Sequence, residues 1–176
     1  LRKMVTPFIL RRKKTDVLKD LPDKLEEVRY AHMESKQQKL YDGQVVRMRK
    51  KLQSADEADF RKGKIEILAE LMHIRQICCD PSLMFEDYSG SSAKRELCLE
   101  LIDSLIDGGH RALLFSQFTT MLEKIEEDLK ERGIEYYKIT GATPKEKRLK
   151  LVKSFNEGDV PIFLISLKAG GTGLNL

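Results

Sequence analysis

From Ser92 onward, apolar positions recur in a repeating order along the chain. Leu97, Leu99, Leu101, Ile102, Leu105 and Ile106 predict a helix that stops at Gly108-Gly109. Ala112-Leu-Leu-Phe115 is a short continuous apolar run, which predicts a strand buried on both faces. Met121, Leu122, Ile125 and Leu129 predict a helix over 120–132, closed by Gly133. A second strand is expected from Ile134 to Ile139. Thr143-Pro144-Lys145-Glu146 carries a capping-box signature with Pro at the first helical position. The helix it opens holds Leu149, Val152 and Phe155 and ends near Gly158. Pro161-Ile-Phe-Leu-Ile165 predicts a third strand. Short apolar strands alternating with amphipathic helices specify right-handed parallel units, an α/β sheet.

The first half reads differently. Residues 1–24 contain the basic run Arg11-Arg12-Lys13-Lys14 and then Leu21-Pro22-Asp23-Lys24, where proline imposes an extended or turn conformation. This stretch is read as a connector. Alternation of Val28, Tyr30 and His32 with charged or small residues predicts a short strand over 25–33. Ser35 is placed to cap a helix running through Leu40, Tyr41, Val45, Met48 and Leu52. Gly43 weakens its middle by about 1 kcal/mol relative to alanine. Polar residues 53–59 predict a loop, and Ile65, Leu68, Leu71, Met72, His73 and Ile77 a second helix that stops before Asp80-Pro81. Two such helices make a hairpin whose apolar faces need a partner. Residues 85–92, with Ser89-Gly90-Ser91-Ser92, form the best internal boundary. The expected organisation is therefore a connector (1–24), a helical region with a short strand (25–91) and an α/β lobe (92–176).

Composition narrows the possibilities. The chain has 176 residues, 41% hydrophobic and 34% charged, with only 11 Gly and 5 Pro, which excludes disorder and collagen-like repeats as the main description. Ile162-Phe-Leu-Ile-Ser-Leu167 is the longest near-pure apolar stretch, far short of the roughly 20 residues of a membrane helix. No signal-peptide core follows Leu1-Arg2-Lys3-Met4, and a first residue other than Met is expected of a piece of a longer chain. Cys78, Cys79 and Cys98 show no metal spacing and fit a reducing compartment better than a disulfide framework. A net charge of +4, from 32 basic and 28 acidic groups, permits nucleic-acid binding without arguing for it.

The candidate chemistry lies in three loops that follow the three strands: Ser116-Gln117-Phe118, Thr140-Gly141-Ala142-Thr143, and Ser166 to Gly173. In a parallel sheet all three fall at the carboxyl edge, where open α/β sheets bind ligands. The helices after the first two strands aim their N-terminal amides at that edge, and those partial positive charges favour phosphate. Lys168 adds one full charge. The third loop resembles a phosphate-binding loop but lacks the Lys-Ser/Thr ending that holds Mg²⁺ and a γ-phosphate. No acidic pair is placed for magnesium, so no catalytic residue and no metal site is assigned within the chain. A glycine-rich turn after a strand is also simple turn geometry. Other features have plain readings. Arg11 to Lys14 either touches phosphate or is a solvated connector. Arg75 and Gln76 fix the hairpin to the sheet. Phe118 packs against the helix that follows rather than stacking on a base. Tyr136 and Tyr137 are ordinary strand residues, and Glu123, Glu126, Glu127, Asp128 and Glu131 form a polar helix face.

Six ordered blocks carry a family resemblance. Phe8-Ile-Leu-Arg-Arg-Lys-Lys-Thr-Asp-Val17 with Leu21-Pro-Asp-Lys24, and Met72-His-Ile-Arg-Gln-Ile-Cys78 with Pro81, resemble connecting blocks of SWI/SNF-family DNA translocases of helicase superfamily 2. Ser92-Ala-Lys94 resembles the start of that family's second RecA-like lobe. Arg111 to Phe118 is similar to helicase motif IV, and Tyr137 to Thr143, with Arg148 and Phe155-Asn156, to the block after it. Phe163 to Leu176 is similar to motif V. The resemblance implies a RecA-like parallel-sheet lobe, truncated at its C-terminus, with a helical protrusion over 25–91 and an inter-lobe connector over 1–24. It implies one lobe of an ATP-driven motor on the backbone of double-stranded DNA, in a nuclear or bacterial cytoplasmic setting. ATP and Mg²⁺ would be bound mainly by the N-terminal RecA-like lobe in cis, whose phosphate loop and acidic motif this sequence lacks. Motif VI would lie beyond Leu176, leaving this piece inactive alone. Carried over by motif, Ser116, Gln117 and Phe118 lie beside the DNA backbone, with Thr140 and Gly141 near the same path. Ser166, Lys168, Gly170 and Gly171 also sit near DNA, while Gly173 and Asn175 approach the ATP cleft. The alternative is a non-catalytic interaction module built on the protrusion. A truncated sheet edge would also favour self-association.

Overall fold

A computed structural model describes residues 25–53, 60–171 and 174. Three strands, β1 (Ala112–Ser116), β2 (Tyr136–Ile139) and β3 (Ile162–Ser166), form one parallel sheet in the order β1-β3-β2. Among the described residues six helices accompany them: α1 (Ser35–Gln53), α2 (Phe60–Cys79), α3 (Ala93–Asp107), α4 (Thr119–Glu131), α5 (Lys145–Glu157) and the single turn α6 (Leu167–Gly170). A short 3₁₀ turn, Pro81–Leu83, follows α2; the Asp80 carboxylate caps it by accepting from the Ser82 N–H at 2.8 Å.

The strand order fixes the layers. The chain steps from β1 past the β3 position to β2, then back to β3. Right-handed crossovers in opposite directions put their helices on opposite faces. Accordingly α4 and α3 cover one face, where Leu99, Ile102, Met121, Leu122, Ile125 and Leu129 pack on Ile162 and Leu164. α5 covers the other, where Val152 and Phe155 pack on Ile139, Phe163 and Ile165. β3 lies between two strands and two helical layers, and its residues 162–165 are fully buried.

β1 departs from the expectation of burial on both faces. Among the described residues it is an edge strand with only β3 beside it. Leu114 packs inward against the α3/α4 core, while Leu113 and Phe115 are exposed on the open face. Helix α3 and helix α4 end as read from the sequence, with Gly109 and Gly133 in the left-handed region at φ 69° and 67°.

Residues 25–30 belong to a unit distinct from a second one, 31–176. In the first unit, residues 25–30 form neither helix nor strand, and Arg29 pairs with Glu27 at 2.9 Å. Residues 31–34 are equally irregular, so the strand expected over 25–33 is absent. Its alternating apolar residues have no partner strand among the described residues to pack beside. In the second unit, α1 and α2 form the expected hairpin, with α1 extending through Gln53 and Ser35 lying inside the helix rather than capping it. The connector over 1–24 and the polar stretch 54–59 lie outside the described residues.

The hairpin is tied to the lobe by buried polar contacts. The Gln37 amide, fully buried, donates to the Ile77 carbonyl at 2.8 Å and accepts from the Ala93 N–H at 3.1 Å. Ser92 donates to the Cys79 carbonyl at 2.9 Å. Arg95 grips Asp128 through two hydrogen bonds of 2.6 and 2.7 Å and approaches Asp80 at 3.5 Å. No helix among the described residues is long and apolar enough to cross a membrane.

Candidate functional site

Parallel registry decides whether the three predicted loops can act together. Ser116 pairs with Ser166, and Ile139 with Ile165. Ser116, Thr140 and Ser166 therefore stand at the carboxyl ends of neighbouring strands, and their loops leave one rim. The N-termini of the 13-residue helices α4 and α5 open at the same rim, where their amides favour anions. No carboxylate occurs in 116–118, 140–144 or 166–171.

The first loop is held from within and from outside. The Ser116 hydroxyl accepts from the Phe118 N–H at 3.1 Å and donates to the Phe118 carbonyl at 3.0 Å. Gln117 is exposed, and its Oε1 accepts a hydrogen bond from the Arg75 guanidinium of α2. That guanidinium lies 5.9 Å from the centre of the Phe118 ring. Phe118 is half-buried against the α3/α4 core, which agrees with its packing role. Behind the loop, α2, α3, α4 and the end of β1 line a cleft of about 380 Å³, with Arg75 and Lys94 in its walls. Cys78, Cys79 and Cys98 line it as free thiols. Burial pushes all three thiols up, Cys98 to about 11, so they are neutral and poorly nucleophilic.

The second loop does not use the expected capping box. Pro144, not Thr143, is the residue before the first turn of α5, and no side chain caps it. Thr143 closes the turn instead: its hydroxyl accepts from the Thr140 N–H at 3.0 Å, and its N–H donates to the Thr140 carbonyl at 3.1 Å. Arg148 then pins the turn by donating to the carbonyls of Thr143 (2.8 Å), Thr140 (3.1 Å) and Gly141 (3.3 Å). Gly141 is exposed at the tip.

The third segment is not a loop at its start. β3 runs directly into α6, so Lys168 stands exposed on a helical turn. Ser166 is 3% exposed, and its hydroxyl has no hydrogen-bond partner among the described residues, so it is turned into the fold rather than out of the rim. Gly170 has a packing reason: a Cβ there would stand 2.9 Å from the Phe115 ring and 3.1 Å from Ile165. Gly171 is exposed. Gly173 and Asn175 lie outside the described residues. The rim thus gathers Gln117, Gly141, Lys168 and Gly171 at the surface, while Ser116, Phe118, Thr140, Ser166 and Gly170 support it.

Two arginines carry more of this geometry than the sequence revealed. Arg148 stands in a family block, but its bracing role is not readable there, because hydrogen bonds to carbonyls leave no periodic trace. The polar face of α4 also has a structural use. Glu126 binds the Tyr136 hydroxyl at 2.6 Å and the Lys138 ammonium, tying α4 to β2, with Lys130 at 3.3 Å. Burial pushes the Glu126 carboxyl up, but hydrogen bonds from Lys138, Tyr136 and Lys130 outweigh it and hold it at about 2. A Mg²⁺–triphosphate does not fit this rim, because β3 leads into Leu167-Lys168-Ala169-Gly170 without the Lys-Ser/Thr pair. Nor is there any group of three or more His, Cys, Asp or Glu among the described residues placed to hold a metal ion.

Residues 93–176 match the family described as Helicase conserved C-terminal domain, and residues 1–83 the SNF2-related domain. The whole chain aligns at 34% identity with 14% of nuclear protein STH1/NPS1 of Saccharomyces cerevisiae. The chain spans only 14–17% of the lengths of the first curated relatives it matches. Among solved structures, the C-terminal domain of the Sulfolobus solfataricus SWI2/SNF2 ATPase superposes with TM-score 0.77 at 28% identity, covering 88% of this chain and 68% of that one. The ATPase core of that organism in complex with double-stranded DNA gives TM-score 0.73 at 26% identity, covering 94% of this chain and 36% of that one.

Proposed function

The chain belongs to the SNF2-related, SWI/SNF-type helicase family, and on that premise we propose that it is the second RecA-like motor lobe of an ATP-dependent double-stranded DNA translocase. In this reading 92–176 is the lobe proper, 25–91 its protrusion and 1–24 the connector to the N-terminal lobe in cis. ATP and Mg²⁺ are held mainly by that N-terminal lobe. Gly173 and Asn175 close the nucleotide cleft from this side, and the 176-residue chain alone does not hydrolyse ATP.

The observation that carries the proposal is the shared rim, fixed by the Ser116–Ser166 and Ile139–Ile165 registers. A rim with two helix N-termini, exposed Gln117, Gly141, Lys168 and Gly171, and no carboxylate in its loops suits a run of phosphates. Ser116, Phe118, Thr140 and Gly170 hold its shape, and Ser166 lies beneath it. Such contacts read backbone rather than base edges, so binding is salt-dependent and nearly blind to sequence. The test is DNA-stimulated ATP hydrolysis by the intact protein carrying Ser116→Ala or Lys168→Ala. Both substitutions should raise the DNA concentration needed for half-maximal stimulation. Unchanged stimulation in both would reject the site assignment.

A second reading takes the hairpin as a protein-docking module. Ile65, Leu68 and Met72 favour it, being 76%, 64% and 40% exposed along one side of α2. Deleting residues 40–79 separates the two readings: lost partner binding with intact DNA-stimulated hydrolysis would favour docking. The exposed Leu113 and Phe115 on edge strand β1 also offer a surface for self-association of the isolated chain.

A further inference from the structure

We infer that Arg75, on the hairpin, is a positioning residue for the rim: it sets the orientation of the Gln117 side chain and braces the loop after β1. This rests on the proposal that the loop meets the DNA backbone. Two contacts define the brace, the hydrogen bond from the guanidinium to Gln117 Oε1 and the placement of the same guanidinium 5.9 Å from the Phe118 ring centre.

Docking of the hairpin does not need Arg75. The end of α2 is already fixed by the buried Ile77, by Gln37 bonded to both Ile77 and Ala93, by Ser92 bonded to the Cys79 carbonyl, and by Asp80 beside Arg95. An exposed contact adds little to stability beside these. Arg75 therefore works in the other direction. A firmly seated helix lends a guanidinium to an exposed loop that the Ser116 hydroxyl shapes from within.

The chemistry of the pair fixes which end of Gln117 faces outward. A guanidinium has donors and no acceptor, so the amide must present its oxygen to Arg75. Its NH₂ group is then the end left for a ligand, and two N–H donors suit a phosphate oxygen. The hairpin thus tunes the DNA-facing loop without itself touching DNA.

Two measurements on the intact protein test this. First, hydrogen exchange without DNA should quicken over residues 116–120 in Arg75→Ala, with no change over 77–107. Unaltered exchange at 116–120 would overturn the brace, whatever the loop binds. Second, the DNA concentration for half-maximal ATP hydrolysis should rise about three- to tenfold in Arg75→Ala and in Gln117→Ala. The rate at saturating DNA should hold in Arg75→Ala, and the double variant should be no worse than Gln117→Ala alone. Additive losses, or full recovery by Arg75→Lys, would overturn the inference and make Arg75 a phosphate contact in its own right. Gln117→Ala without effect on half-saturation would instead reject the DNA reading of this loop, leaving the exchange measurement to decide the brace.

Discussion

The loops after β1 and β2 leave the same rim of the same sheet, yet they are held in opposite ways. The second is closed by its own neighbours: Thr143 bonds back to Thr140, and Arg148, only five residues beyond Thr143, reaches three of the turn's carbonyls. The first depends on Arg75, which lies 42 residues before Gln117 and on a different structural layer. One loop carries its geometry in a local stretch of chain. The other takes part of it from the hairpin, so a shift of the hairpin is transmitted to the rim through the Arg75–Gln117 contact. The difference teaches that one loop is shaped locally while the other is tied to the hairpin through Arg75.

The strongest way to break the comparison is to remove what both loops share. Phe163, fully buried in β3 between Tyr137 and Phe155, should cost about 3–5 kcal/mol as Phe163→Ala. Denaturant unfolding should show that loss, with exchange rising in both loops together. Next in size is Arg95→Ala, which strands Asp128 and the buried Asp80 without their cation and should cost about 2–3 kcal/mol. It loosens the seat of α2, so exchange should rise around 116–118 while 140–144 stays as it was. Arg148→Ala should do the reverse, at about 1 kcal/mol, freeing 140–144 and leaving 116–118 protected.

The smallest effect concerns β2 alone. Glu126 holds Tyr136 and Lys138, and its carboxyl falls from 4.5 to about 2 in the folded state. A depressed carboxyl stabilises the fold above its unfolded pKa and loses that contribution as pH falls through the folded one. The wild type should therefore lose stability between about pH 4.5 and 2 more steeply than Glu126→Gln. Parallel pH profiles for the two proteins would contradict the Glu126 link.

Much of this architecture is legible in the sequence, for a physical reason. The apolar runs of 112–115 and 161–165 and the helical spacing between them report burial, and burial of periodic faces is what sets an α/β sheet. The shared rim follows from parallel strands alone. What stays illegible depends on position across the sheet. Nothing in Ala112-Leu-Leu-Phe115 says that β1 is an edge strand whose Leu113 and Phe115 remain open. Alternation at Val28, Tyr30 and His32 resembles a strand, but a strand also needs a partner to pair with. Thr143 and Glu146 have the spacing of a capping box, but Thr143 bonds backwards to Thr140 because Arg148 holds the turn closed. Ser166 reads as a surface donor, yet the register of β3 aims it inward. The two arginines that shape the rim act through side-chain hydrogen bonds, one from Arg75 and three from Arg148, and these leave no periodic pattern to read.

The central claim, that three loops on one rim grip a phosphate backbone, is tested most directly by the salt dependence of duplex binding. The measurement compares the intact protein with its Lys168→Ala variant on two duplexes of unrelated sequence. The account predicts a slope of log affinity against log salt shallower by about one in the variant, with equal loss of affinity on both duplexes. An unchanged slope, or a loss confined to one sequence, would contradict it.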